Sequence, residues 1–124
     1  MLERRLERLP AVTLDGGMRL TIADRPIARL AGLAGMRAVP PRTGLLLPDC
    51  RSVHTYGMRF ALELIWLGDD GAIVDVTGAV RPGRVVRRRH ARAVVEVPAS
   101  SGARFFAALA TAPRGSIPTS RRAI

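Results

Sequence analysis

The fold of this chain is decided by one stretch of sequence, Ser52-Val53-His54-Thr55-Tyr56-Gly57-Met58-Arg59-Phe60-Ala61-Leu62-Glu63-Leu64-Ile65-Trp66. In extended backbone, successive side chains point to opposite faces of the strand. Period-two spacing therefore predicts one core-facing set: His54, Tyr56, Met58, Phe60, Leu62, Leu64 and Trp66. The opposite set is predicted to form a polar sheet face: Arg51, Thr55, Arg59 and Glu63. Gly57 allows a bend, which favours two shorter strands over one long ribbon.

Turn signals on both sides of this stretch predict two hairpins. Asp15-Gly16-Gly17 supplies the positive φ values of a tight turn inside residues 12–22. Gly68-Asp69-Asp70-Gly71 separates residues 62–67 from residues 72–80, and we expect Gly71 to be left-handed. Both segments therefore indicate antiparallel strand pairs.

Two further apolar runs, residues 44–48 and 93–98, are typical of buried strands. Asp24 can cap a short helix, and Ser101 can cap a second helix that ends near Ala110. Many short strands with so little helix predict an all-β protein, mainly β with one or two short helices, folded as a small sandwich or a partly open barrel.

The chain's 124 residues suit one domain with a self-sufficient core. We expect residues 1–10 to be an N-terminal extension, residues 11–112 a single β-sandwich domain, and residues 113–124 a flexible basic tail rich in Pro, Gly, Ser and Arg. Cys50 is the single cysteine, so no intramolecular disulfide can form, which favours a cytoplasmic location. No apolar run approaches the ~20 residues of a membrane span.

Basic residues outnumber acidic ones, and the formal net charge is +10. Such a charge favours anionic partners, and five arginines in one connection are candidates for binding anions or nucleic acid: Arg84, Arg87, Arg88, Arg89 and Arg92. The tail adds Arg114, Arg121 and Arg122. However, every basic side chain is Arg, a composition that coding bias also produces, and aromatic stacking platforms are missing. Nucleic-acid binding is therefore not favoured.

Several segments together follow a family pattern: Arg29-Leu30-Ala31-Gly32-Leu33-Ala34-Gly35, His54-Thr55-Tyr56-Gly57-Met58-Arg59-Phe60, Leu67-Gly68-Asp69-Asp70-Gly71 and Val94-Val95-Glu96-Val97. In this order, over about residues 11–98, the chain resembles the bacterial and archaeal Domain of Unknown Function 192 family. The resemblance implies a small jelly-roll-like β-sandwich and no mechanism. The chain departs from the family pattern at Ala61 (usually Pro), at Glu63 (usually Asp), and at a glycine displaced to Gly102.

The polar strand face is the first candidate site. Thr55, Arg59 and Glu63, with His54 nearby, could recognise a small polar ligand, and the Arg59 guanidinium could hold a carboxylate. The competing interpretation is a solvated sheet face on which these residues only preserve solubility.

Glu63 and Glu96 form the second candidate, because both lie in strands among apolar neighbours. If they converged in a dry cleft, one could have a raised pKa and act as a general acid while the other stayed ionised, as hydrolases require. Cys50 and His54 would lie about 13 Å apart on a straight strand, too far for one ion. We therefore expect no metal and no cofactor.

The leading expectation is a non-enzymatic binding or accessory module that holds a small polar ligand or an acidic protein partner on its polar sheet face. One alternative is a basic accessory protein associated with RNA or ribonucleoprotein. The other is a hydrolase that uses Glu63 and Glu96.

Overall fold

A computed structural model of the chain describes residues 4–25 and 31–124. The strands are β1 (Ala11–Leu14), β2 (Met18–Ile22), β3 (Thr43–Pro48), β4 (Ser52–His54), β5 (Leu62–Leu67), β6 (Ile73–Val80), β7 (Val85–Arg87) and β8 (Ala93–Pro98). The described α-helices are α1 (Arg4–Glu7) and α2 (Gly102–Thr111). In these residues no helix has the length and apolar character to cross a membrane. The helix predicted after Asp24 falls largely on residues 26–30, outside the described part.

Six strands form one mixed sheet in the order β1-β2-β3-β8-β5-β6, while β4 and β7 pair as a small separate sheet. Only β2 and β3 are parallel; the other neighbours are antiparallel. β8 lies at the centre, between β3 and β5, and its residues Ala93–Val97 are all buried. The large sheet does not close into a barrel, and the predicted all-β fold is confirmed, in a form consistent with a sandwich.

Each face of the large sheet has its own apolar core. On one face, which we call the helix face, Ile65, Val95 and Val97 pack with Phe105 and Leu109 of α2. The other face, called the pocket face, packs under the β4–β7 sheet and residues 31–36, and its core includes Leu45, Leu47, Leu64, Trp66 and Val94. The side chains of β3, β5 and β8 therefore alternate between two apolar layers that the sheet separates.

Both hairpins predicted from turn residues are confirmed. β1 pairs with β2 around Asp15–Gly17, where Gly16 has φ 77° and Gly17 has φ 71°. β5 pairs with β6, and Gly71 has φ 86°. Glycine carries these positive φ values without steric cost, so the turns follow directly from the local sequence.

The central stretch is extended at both ends, and Met58 and Trp66 are buried as predicted. Its alternation is wrong in the middle, however, because Thr55 is 0% exposed and Tyr56 is 57% exposed. The chain turns at Gly57, with φ 78°, so the period of β4 does not continue into β5. Thr55, Arg59 and Glu63 consequently do not share one strand face.

The two ends of the chain contribute more to the core than predicted. Leu6, in the expected extension, belongs to the core of the pocket face. The tail expected to be flexible packs through the buried residues Ile117 and Thr119. Thr119 Oγ1 donates to the Asp69 carbonyl at 2.8 Å, and the Thr119 carbonyl accepts from the Asp49 amide at 3.0 Å. This docking brings the C-terminal residues back onto the sandwich.

Candidate functional site

Three segments that are far apart in sequence meet on the pocket face. The Gly35 amide donates to the Gly57 carbonyl at 2.9 Å, which joins residues 31–36 to the turn after β4. Glu96 of β8 lies directly under Gly32. Residues 31–36, residues 52–58 and β8 thus enclose one volume, which we call the Glu96 pocket.

The Glu96 pocket has a volume of about 370 Å³, within the range of small-molecule sites. Apolar side chains form part of its wall, and five residues with polar side chains complete it. The lining residues are Ala31, Gly32, Leu47, Cys50, Ser52, Val53, His54, Met58, Glu96 and Arg121. The space is therefore an apolar cavity with a few polar groups at fixed positions.

Glu96 is the chemically distinctive group of this pocket. In the sheet it pairs with Leu45 on β3 and Leu64 on β5, so its side chain enters the apolar layer of the pocket face and is only 2% exposed. Burial raises the pKa of its carboxyl to about 7, and a hydrogen bond from the Leu33 backbone partly opposes that rise. Within the described part of the chain, Oε1 has no hydrogen-bond partner.

Gly32 makes room for this carboxyl. It adopts φ +52°, and a Cβ there would lie 2.8 Å from Glu96 Oε1, closer than a real contact allows. A glycine is therefore required at this position for two reasons: the left-handed backbone and the close approach of the Glu96 carboxyl. The Gly-rich segment around residue 32 is shaped to cover Glu96.

Two further polar side chains of the pocket lining are His54 and Arg121. His54 is half-buried and stacks against Tyr56, with ring centroids 5.7 Å apart. The Arg121 side chain is 58% exposed, and its Nε is 3.8 Å from Asp49 Oδ2. Arg121 is thus held near the pocket by a long, solvent-screened contact that leaves its guanidinium accessible.

Thr55, predicted to bind a ligand, occupies the interior and uses its hydroxyl for the fold. Its Oγ1 donates to the Arg81 carbonyl at 2.7 Å and accepts from the Arg84 amide at 2.8 Å. These bonds fasten the turn between β6 and β7 to the end of β4. Arg59 is exposed, away from Thr55's buried environment, so the predicted polar face does not exist as one surface.

Glu63 and Glu96 lie on opposite faces of the large sheet, which corrects the hydrolase prediction. On β5, Glu63 pairs with Val97, whereas Glu96 pairs with the next β5 residue, Leu64. Glu63 extends over the helix face, where its Oε2 occupies the place of a Cβ at Gly102. Two acids separated by a sheet cannot act on one bond. The departures from the family pattern at residues 63 and 102 are therefore in mutual contact.

The arginine connection divides into two groups. Arg88 pairs with Asp75 at 2.5 Å and lies over the Trp66 ring at 5.9 Å, while Arg92 pairs with Asp49 at 3.0 Å. Arg84, Arg87 and Arg89 are exposed instead. Of the five arginines predicted to bind anions, two thus support the fold and three face solvent.

Cys50 and His54, considered as metal ligands, do line the same pocket as Glu96. Across residues 4–25 and 31–124, however, no group of three His, Cys, Asp or Glu side chains could hold a metal ion. The Cys50 thiol donates to the Ser52 carbonyl at 3.2 Å. These residues therefore form the wall of the cavity.

Sequence reasoning identified His54 and Glu96 individually but missed Ser52, Gly32 and Arg121 as their neighbours. The sequence held one signal for this grouping. The family pattern includes the glycine-rich segment 29–35, the histidine-containing segment 54–60 and the strand residues 94–97. Arg121 carried no local signal, because its position depends on the docked C-terminal residues.

Comparison with known proteins agrees with this architecture. The family model described as DUF192, Uncharacterized ACR, matches residues 11–106, so the chain belongs to this family. No match was found among curated proteins. A crystal structure from Sinorhizobium meliloti 1021, described as a "putative transcription regulator", is 20% identical with a TM-score of 0.63, and the match covers 77% of this chain and 83% of that one.

A second crystal structure, of a protein of unknown function from Novosphingobium aromaticivorans, is 15% identical with a TM-score of 0.61. That match covers 88% of this chain and 92% of the other. At these identities the likeness establishes the shared fold.

Proposed function

From its membership of the DUF192 family and from the Glu96 pocket, we propose that this protein is a non-enzymatic binding module for a small polar ligand. The proposed site is the pocket and not the strand face predicted from the sequence. Of the predicted ligand-binding residues, His54 lines this pocket. Glu96 is the group that would fix the ligand's orientation, and the cavity wall would contact the rest of it.

A single observation carries the proposal: the carboxyl of Glu96 is buried at the side of a cavity with Oε1 unpartnered among the described residues. A buried polar atom without a partner costs roughly 1–3 kcal/mol, and more when it is charged. An apolar residue between Leu45 and Leu64 would avoid that cost. Retaining an acid there makes sense if a ligand completes its hydrogen bonds.

Binding is favoured over catalysis because Glu96 is the only carboxyl among the described residues that line the pocket. Glu63 is on the other face of the sheet. The Cys50 thiol is 9% exposed and donates to the Ser52 carbonyl.

The test is a thermal-shift screen of amines, carboxylates, hydroxy acids and amino acids against the wild type, Glu96→Gln and Glu63→Gln. A ligand at 100 times its Kd stabilises the native state by about 2.7 kcal/mol. We expect at least one class to raise the Tm of the wild type and of Glu63→Gln, its matched control, but not of Glu96→Gln. No shift with any class, or equal shifts in all three proteins, would contradict the proposal.

A second candidate is binding to nucleic acid or an acidic protein through Arg84, Arg87 and Arg89, which are exposed near one another in sequence. Filter binding across a salt series tests this candidate. Three phosphate contacts would give a slope of about −2.7 in log K against log salt. Replacing the three arginines by Gln should remove that slope, whereas replacing Arg8, Arg19 and Arg104 should preserve it. If both triple variants lose the salt dependence equally, binding depends on the net charge of the protein and this candidate is contradicted.

We further propose a cytoplasmic location. Cys50 is the single cysteine of the sequence and lines the pocket, so no intramolecular disulfide can form, as is usual for proteins of a reducing compartment. Fractionation of the native host with an antibody against the protein tests this, and recovery with secreted proteins would contradict it.

A further inference from the structure

Glu96 is a buried acid that takes part in none of the ion pairs among the described residues. Three aspartates each sit beside a guanidinium, in the pairs Asp49–Arg92, Asp70–Arg114 and Asp75–Arg88. Glu96 is the single carboxylate in the described ranges that is classed as buried, and none of the described ion pairs includes it. The chain has twenty arginine residues and no lysine, yet Glu96 lines a cavity and forms an ion pair with none of the arginines that the structure describes.

The opposite charge lies at the exposed side of the same cavity. Arg121 lines the pocket with a largely exposed side chain, and its contact to Asp49 is long. The same wall includes the apolar side chains of Leu47, Val53 and Met58. The pocket is therefore lined by a buried acid, by apolar side chains and by an exposed guanidinium.

We infer that the ligand of the Glu96 pocket is a short zwitterion, with an ammonium group against Glu96 and a carboxylate against Arg121. This inference rests on the proposed function and names its ligand class. A ligand with only positive charge is repelled by a protein of net charge +10, whereas a zwitterion is not. A ligand with only negative charge would pair with Arg121 and leave the buried Glu96 carboxyl without a cation.

Proton release gives this ligand class a distinct signature. Three other titratable or charged side chains line the pocket with Glu96: His54 from β4, Cys50 from the segment before β4, and Arg121 from the C-terminal end. The neighbouring strands β3 and β5 place leucines beside Glu96, and the Leu33 backbone donates a hydrogen bond to its carboxyl. An ammonium group beside Glu96 favours the carboxylate, so the carboxyl proton passes to solvent on binding. A neutral hydroxyl group would leave that proton in place.

Isothermal titration calorimetry with defined probes tests the inference. The probes are 3-aminopropanoate, 4-aminobutanoate, 5-aminopentanoate and 6-aminohexanoate, with n-butylamine, butanoate and 4-hydroxybutanoate as single-group controls. We expect one amino acid to bind at least about tenfold more tightly than these controls. Because the free carboxyl titrates at about 7, binding at pH 6, measured in two buffers of different ionisation enthalpy, should release about one proton, and binding at pH 8 almost none.

Variants separate the two ends of the ligand. Glu96→Gln should weaken the amino acid about tenfold and abolish proton release, and Arg121→Gln should weaken the amino acid but leave n-butylamine unchanged. Glu63→Gln should behave as the wild type. Tighter binding of butanoate or 4-hydroxybutanoate, lost in Glu96→Gln, would overturn the zwitterion and leave the binding function standing. Absence of binding by all four amino acids also overturns the zwitterion, and the wider thermal-shift screen then decides the proposed function.

Discussion

The two faces of the six-stranded sheet each carry one glutamate, and they are closed in different ways. The helix face is covered by α2, whose Phe105 and Leu109 are buried in a continuous core, while Glu63 is half-buried against Gly102. The pocket face is covered by irregular segments, and a cavity of about 370 Å³ remains beside the buried Glu96. Spaces of about 430 and 390 Å³ also border α2, but the buried, unpartnered acid lies in the pocket formed by loops from distant positions.

The largest expected effect contrasts a filled core with a cavity wall. Phe105→Ala on the helix face should lower the free energy of unfolding by about 3–5 kcal/mol, because a full aromatic ring leaves an empty space. Met58→Ala on the pocket face should cost less, about 2 kcal/mol, since Met58 already borders a cavity. Urea unfolding measures both values. Equal losses would mean that the two faces are packed alike.

The next effect separates the two acids by pH. In the native state the pKa of Glu96 is raised from 4.5 to about 7, so between these values the folded protein holds a proton that the unfolded chain releases. The contribution of Glu96 to stability should therefore be largest below about pH 4.5 and fall by on the order of 3 kcal/mol as the pH rises through 7.

Urea unfolding from pH 4.5 to pH 8 checks this dependence. The decline should disappear in Glu96→Gln and persist in Glu63→Gln. A decline that is identical in all three proteins would assign the effect to the general charge of the chain.

A third, smaller effect isolates the contact between Gly32 and Glu96. Both Gly32→Ala and Gly83→Ala place a side chain at positive φ, which costs about 1–2 kcal/mol. At Gly83 nothing lies within 4 Å of the new Cβ, whereas at Gly32 the Cβ meets the buried carboxyl at 2.8 Å. Gly32→Ala should therefore be the more destabilising of the two by chemical denaturation, and it should weaken probe binding. Equal costs would show that residue 32 does not constrain Glu96.

The smallest effect concerns the residue whose role the structure changes. Thr55→Val removes a hydroxyl that holds the Arg81 carbonyl and the Arg84 amide, so we expect a loss of about 1–2 kcal/mol. Thr55→Ser, which keeps the hydroxyl, should lose less. Calorimetric titration with the probes should give the wild-type Kd for both variants once folded. A specific loss of ligand binding in Thr55→Ser would return Thr55 to the binding site.

Local signals predicted the strands and hairpins correctly. Asp15-Gly16-Gly17 and Gly71 specify turns through their φ angles, and β3 and β8 are apolar runs whose neighbours in the sheet are also buried. The predicted alternation of buried and exposed side chains failed at Gly57. The chain turns there, so the alternation along β5 is shifted relative to that along β4. A period of two identifies faces only while the backbone stays extended.

The candidate site could be predicted only in part, because its geometry depends on long-range contacts. The apolar neighbours of Glu96 suggested a buried acid, but the sequence does not show that residues 63 and 96 face opposite ways, since that follows from the register of β5 on β8. The composition of the tail, rich in Pro, Gly, Ser and Arg, also does not predict that Ile117 and Thr119 are buried and that Arg121 lines the pocket.

The most direct test of the account is a carbon-13 NMR titration of the Glu96 side-chain carboxyl, assigned by its absence in Glu96→Gln. The account predicts a midpoint of about 7 in the free protein, caused by burial, and a lower midpoint in the presence of an amino-acid probe that binds. A midpoint near the ordinary value of 4.5, unchanged by every probe, would contradict the account.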